Sequence, residues 1–192
     1  MKLRAGSLEE PTSTLERVAI AVASLIVAIG AIAALSGFFA ARDQAGVSGG
    51  DSGPGQAFYD LGHAHLRPGE LRPVYNSNPP TSGAHIPEPV AQQHVPLSDD
   101  QLLEALELGD VVLMYGGPIP PPGLDGLASS IGSPFSPALA AAGQAVIVAS
   151  RPGTHGLIAL AWTRMLRVSS PGDPRLRQFA DFWLGRGAPR HR

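Results

Sequence analysis

The stretch Ser98–Tyr115, SDDQLLEALELGDVVLMY, decides the fold, because one uninterrupted run holds a helix, its stop and a strand. Ser98 and Gln101 have the spacing of a capping box, in which each side chain satisfies an orphan backbone N–H of the helix start. Asp99 and Asp100 suit the positive end of the helix dipole, and Gly109 suits a left-handed C-terminal cap. At about 100° per residue Leu102, Leu103 and Leu106 share one stripe, which predicts a core-facing side. Glu107 falls at the edge of that stripe. Glu104 and Leu108 lie four apart on the far side, so another segment is expected to cover Leu108. Glu104 and Glu107 sit in the C-terminal half, where the dipole slightly disfavours anions; a solvated acidic face is the simpler reading, a partner the sharper one. Val111–Tyr115 is a short apolar run that reads as a strand.

Downstream, Gly116–Pro122 is a Pro/Gly turn region, and residues 124–143 read as a weak helix broken by Pro134 and Pro137. Ala145–Ala149 reads as a buried strand and Leu157–Val168 as a strand pair or one bent strand. Asp173 and Pro174 start a helix whose Leu176, Phe179, Ala180 and Trp183 recur at i, i+3, i+4 and i+7, and Gly185 ends it. This order predicts a small α+β domain with a sheet of about three to four strands and helices on one face.

Upstream, residues 58–97 are rich in proline and poor in apolar runs, which predicts irregular structure wrapped on the core. Within them, the segment from Tyr75 to His85 is a stiff loop: Pro79 and Pro80 fix their own backbone and extend Asn78, and Gly83 permits a sharp turn. Tyr75, Pro79, Pro80, Ser82 and Gly83 therefore form a candidate site loop with an aromatic at one end and His85 at the other. His63 and His65 form a His-x-His pair whose side chains share one side of an extended chain. Two ligands for one metal are then geometrically possible, with two exposed loop histidines as the simpler alternative.

Residues 42–57 read as a flexible Gly/Ser/Asp tether. From Val18 to Ala41 no charged residue interrupts 24 positions. A helix of that length spans the roughly 30 Å of a bilayer's hydrocarbon core, and the run is too long for a cleaved signal peptide. Lys2, Arg4 and Arg17 precede it, which predicts a cytoplasmic N-terminus (1–17), a single-pass anchor in the cell membrane (18–41) and an extracytoplasmic domain (58–186), followed by a disordered tail (187–192). The chain has no cysteine and a net charge of −2, which excludes thiol chemistry, iron–sulfur clusters and a basic field for nucleic acid. No serine-hydrolase elbow, Walker loop or dinucleotide-binding glycine pattern occurs.

His65-Leu66, Tyr75, Pro79-Pro80-Thr81-Ser82-Gly83-Ala84-His85, Glu104-Ala105-Leu106-Glu107-Leu108-Gly109, Ala161-Trp162 and Asp173-Pro174-Arg175-Leu176 follow one another in order. Over about residues 60–185 this resembles the bacterial domain-of-unknown-function family numbered 3105. The resemblance implies a membrane-anchored or exported protein without an established activity. The family's His-x-Leu-Glu-His-Gly stands here as Glu104 to Gly109, with Glu104 and Leu108 in place of its histidines. Against that pattern the candidate metal set is His65, His85, Glu104 and Glu107, two imidazoles and two carboxylates of a kind that suits zinc or non-haem iron. A decayed site, with Leu108 filling the vacated space, fits the same residues. The sequence therefore favours a tethered, non-catalytic domain that binds an envelope partner and needs no cofactor; the alternative is a metal-binding or metal-dependent protein using His65, His85 and Glu107. Close approach of the imidazoles to the carboxylates would favour the metal.

Overall fold

A computed structural model describes residues 53–189. The expected anchor at 18–41 and most of the tether lie outside the described residues, and no helix among those residues is long and apolar enough to cross a membrane. The elements run β1 (Gln56–Ala57), α1 (Asp99–Leu108), β2 (Val111–Tyr115), α2 (Leu124–Gly132), α3 (Pro137–Ala141), β3 (Val146–Ser150), β4 (Leu157–Ala161), β5 (Arg164–Val168) and α4 (Pro174–Trp183). The fold is α+β, built on one mixed sheet of order β1-β5-β4-β2-β3. Only β2 and β3 are parallel, and α2 and α3 form the crossover that a parallel pair requires. β2 with β4, β4 with β5 and β1 with β5 pair antiparallel.

The sheet has five strands instead of three to four, and helices cover both of its faces instead of one. On one face Val112, Met114, Ile147, Ala149, Ile158 and Leu160 pack with Leu102, Leu103 and Leu106 of α1 and Ala140 of α3. On the other, Val111, Leu113, Val148, Leu157 and Ala159 pack with Leu124 and Ala128 of α2 and Leu176, Phe179 and Ala180 of α4. Every residue of β2 and β4 is buried, which is why these strands lack apolar–polar alternation. Pro134 and Pro137 divide the expected weak helix into α2 and α3, with Pro137 opening the latter.

The extra strand comes from the expected tether. Gln56 and Ala57 pair with Met165 and Arg164, and Trp183 donates its indole N–H to the carbonyl of Pro54. Anchoring by β5 and an aromatic thus overrides the Gly-rich composition of residues 53–57. The chain after α4 is likewise held: Gly185 donates to the carbonyl of Gly109, and Ala188, in the expected tail, to that of Glu107. A Cβ on Gly187 would lie 2.0 Å from the Glu107 carbonyl oxygen, so this close approach needs glycine.

Candidate metal centre

The site is assembled from two irregular segments and one helix. The segments around 61–66 and 82–85 run side by side as an improvised parallel ladder. Gly83 donates to Gly62, His85 to Ala64, and Leu66 to His85, at 2.8, 3.1 and 2.8 Å. Ser82 adds a rung, accepting from the Leu61 N–H at 3.1 Å. This ladder places His65 directly beside His85. Tyr75 lies across it, donating its hydroxyl to the Ala84 carbonyl at 3.0 Å. Gly83 adopts φ +131, and a Cβ there would meet the Tyr75 ring at 2.9 Å. Pro79, Pro80, Thr81 and Ser82 are buried, so the candidate site loop is an inner wall of the domain.

The helix presents its acidic face to this ladder. The capping box expected at Ser98 and Gln101 and the left-handed Gly109 cap fix the two ends of α1. Asp100, Glu104 and Glu107, at i, i+4 and i+7, lie along one side. Asp100 accepts from the Ile86 N–H at 3.0 Å and pairs with Arg72, clamping the residue after His85 to the first turn. Burial works against the Asp100 charge, but the hydrogen bonds from Arg72 and Ile86, with the guanidinium's charge, outweigh it and hold the carboxyl below the usual range. The acidic face is therefore covered by the loop and is not a solvated surface.

His65, His85, Glu104 and Glu107 each point one donor atom into the same space, all within 4.8 Å of one another. His85 Nε2 lies 3.4 Å from Glu104 Oε2 and 3.3 Å from Glu107 Oε2, and His65 Nε2 lies 3.3 Å from the same Glu107 oxygen. His63, the first half of the His-x-His pair, lies outside the candidate set of four but joins it in space. Its Nδ1 stands 3.2 Å from Glu107 Oε1, so Glu107 is the hub: one oxygen faces His63, the other His65 and His85. The period of two in an extended segment was the signal for it.

His85 is fully buried. Its Nδ1 lies 3.0 Å from the Gly83 carbonyl, which can only accept, so Nδ1 carries a proton. In the neutral ring Nε2 then turns its lone pair toward the carboxylates; neither Nε2 nor Glu104 Oε2 has a hydrogen-bond partner, although both atoms are buried. A lone pair facing carboxylate oxygens is unfavourable unless a cation stands between them. A backbone carbonyl fixing the far nitrogen is also the usual second-sphere support of a metal-ligating imidazole. The residues present fit a divalent ion.

Leu108 departs from expectation. It is only partly covered by other segments: it is 38% exposed, beside Pro89, Val90, Ala140 and Ala141 in a shallow hollow. It does not fill the space between the imidazoles and the carboxylates, which face each other directly. Asp110, also in that hollow, is buried, and desolvation pushes its carboxyl up to about 8 despite a 2.7 Å hydrogen bond from the Ala145 N–H.

The family model described as "Protein of unknown function (DUF3105)" matches residues 70–191, more than half of the chain. The chain belongs to this family. The matched stretch includes Tyr75, the Pro79–His85 loop and both α1 glutamates, while His63 and His65 precede it. No curated protein and no solved structure matches the chain.

Proposed function

We propose that this DUF3105 domain binds a divalent transition-metal ion between His65, His85, Glu104 and Glu107, and serves as a metal-binding accessory domain tethered at the cell envelope. The observation that carries the reading is the buried His85 Nε2, which stands 3.4 and 3.3 Å from two carboxylates without a hydrogen-bond partner while Nδ1 is held on the Gly83 carbonyl. Two imidazole nitrogens and two carboxylate oxygens form a mixed donor set that suits zinc or iron(II). His63 orients Glu107 from the outside. His65 is exposed, which leaves one side of the site open to solvent or to a further ligand.

The close approach of imidazoles and carboxylates supports this reading over a decayed site packed by Leu108. The test is elemental analysis of the full-length chain purified in neutral detergent without chelators. About one ion per chain is expected, falling below about a tenth in His85→Ala, while Glu107→Gln keeps the shape and weakens affinity on the order of 100-fold. Substoichiometric metal in the parent chain, or equal loading in both variants, would falsify the proposal.

The tether rests on the uncharged run from Val18 to Ala41 and the basic residues before it. Alkaline carbonate extraction of bacterial membranes should leave the chain in the pellet, and protease added to spheroplasts should digest residues 58–186. Release into the supernatant would remove the anchor, and protection from protease would invert the topology.

A further inference from the structure

A second concave site lies where β3 ends and β4 begins. A cavity of about 510 Å³ is lined there by Asn78, Arg151, Thr154, His155 and Arg167 among others, and no acidic side chain contributes to it. The two guanidiniums converge on one neutral residue: Arg151 donates to Asn78 Oδ1 at 2.5 Å and Arg167 to the Asn78 carbonyl at 2.9 Å. Each bond uses one Nη2, and an arginine carries five donors, so most of both guanidiniums stays available. Among the described residues neither arginine has a carboxylate partner, unlike Arg72 and Arg175. The loop that carries Arg151 is itself anchored, with Arg151 N–H donating to the Tyr115 carbonyl at 2.7 Å and Thr154 N–H to the Arg151 carbonyl at 3.1 Å.

Two uncompensated cations held side by side repel each other, and an anion between them relieves that repulsion while accepting their planar forks of hydrogen bonds. We propose that this cavity binds a small molecule through an oxyanion group, phosphoryl or carboxylate. Thr154 and His155 line the same cavity. The volume is that of a small-molecule site. The chain's net charge of −2 provides no wider basic field, so a polyanion is not the ligand that fits. The site stands independently of the metal centre, although one loop joins them: Asn78 and Pro79 line the cavity, and His85 lies at the loop's other end.

The test is calorimetric titration of the full-length chain in neutral detergent at low ionic strength, with sodium phosphate in one arm and sodium succinate in the other. Saturable binding of at least one anion is expected, and the arm that binds identifies the group as phosphoryl or carboxylate. Arg151→Gln and Arg167→Gln should each weaken it at least about tenfold, and Arg151→Lys less than Arg151→Gln. Asn78→Ala removes the Oδ1 acceptor of Arg151, leaves the carbonyl that holds Arg167 and keeps both charges; it should weaken binding less than Arg151→Gln, which separates ligand contact from loop support. Absence of saturable binding in both arms, or affinities unchanged in both arginine-to-glutamine variants, overturns the proposal.

Discussion

The layered part of the domain, residues 98–184, and the irregular part, residues 58–97, are held together by different forces. In the layered part, strands buried on both faces and helices with apolar stripes remove carbon from water. In the irregular part, order comes from single polar contacts: a three-bond ladder, Ser82 on Leu61, Tyr75 on Ala84 and Asp100 on Ile86. The contrast teaches where chemistry can be placed. A sheet buried on both faces has no room for exposed donors, whereas a polar-pinned loop holds imidazoles at fixed angles against a helix.

The largest effect that would test this contrast is in the core. Phe179→Ala should lower unfolding stability by about 3–5 kcal/mol in a denaturant titration and leave metal per folded chain unchanged. A loss of metal in the folded variant would mean that the two parts are not separable. Next comes Asp110, whose carboxyl is raised from 3.8 to about 8. The folded state holds that proton more tightly than the unfolded chain, so the contribution is complete below the unfolded value and is lost as pH rises through the folded one. Between about pH 5 and about pH 7 this one group should withdraw roughly 3 kcal/mol, and Asp110→Asn should flatten that slope.

Asp100→Asn addresses the clamp between the parts. It should cost about 1–3 kcal/mol, and by freeing the residue after His85 it should also weaken metal affinity about tenfold. An affinity unchanged by this substitution would show that the ladder alone positions His85. The smallest effect is at the helix start: Ser98→Ala should cost about 1 kcal/mol in thermal unfolding without moving metal affinity.

The same division governs what the amino-acid order reveals. Local signals were enough for α1, β2 and α4, because capping residues, glycine stops and apolar spacing all lie within one element. They were not enough for β1 or for the second helical layer. Gln56 and Ala57 carry no strand signal of their own and become a strand only because β5 offers an open edge. The coverage of both faces follows from tertiary packing that a five-residue apolar run does not specify. At the site, His65, His85, Glu104 and Glu107 could be nominated from residue type and resemblance. The role of Asp100 was concealed, because its i, i+4, i+7 alignment with Glu104 and Glu107 matters only once the loop is known to cover that face. Leu108 misled for the same reason: helical spacing places it opposite the core but does not say whether anything lies over it.

The bond from Ala188 to the carbonyl of Glu107 also has a temporal meaning. During synthesis the histidines and glutamates emerge well before Ala188, the residue that latches their helix. Until then the latch is missing, so a nascent or C-terminally trimmed chain presents the same donors on a less restrained support. Emergence of Ala188, and not merely formation of the helix, marks the moment at which the donor set acquires its final rigidity.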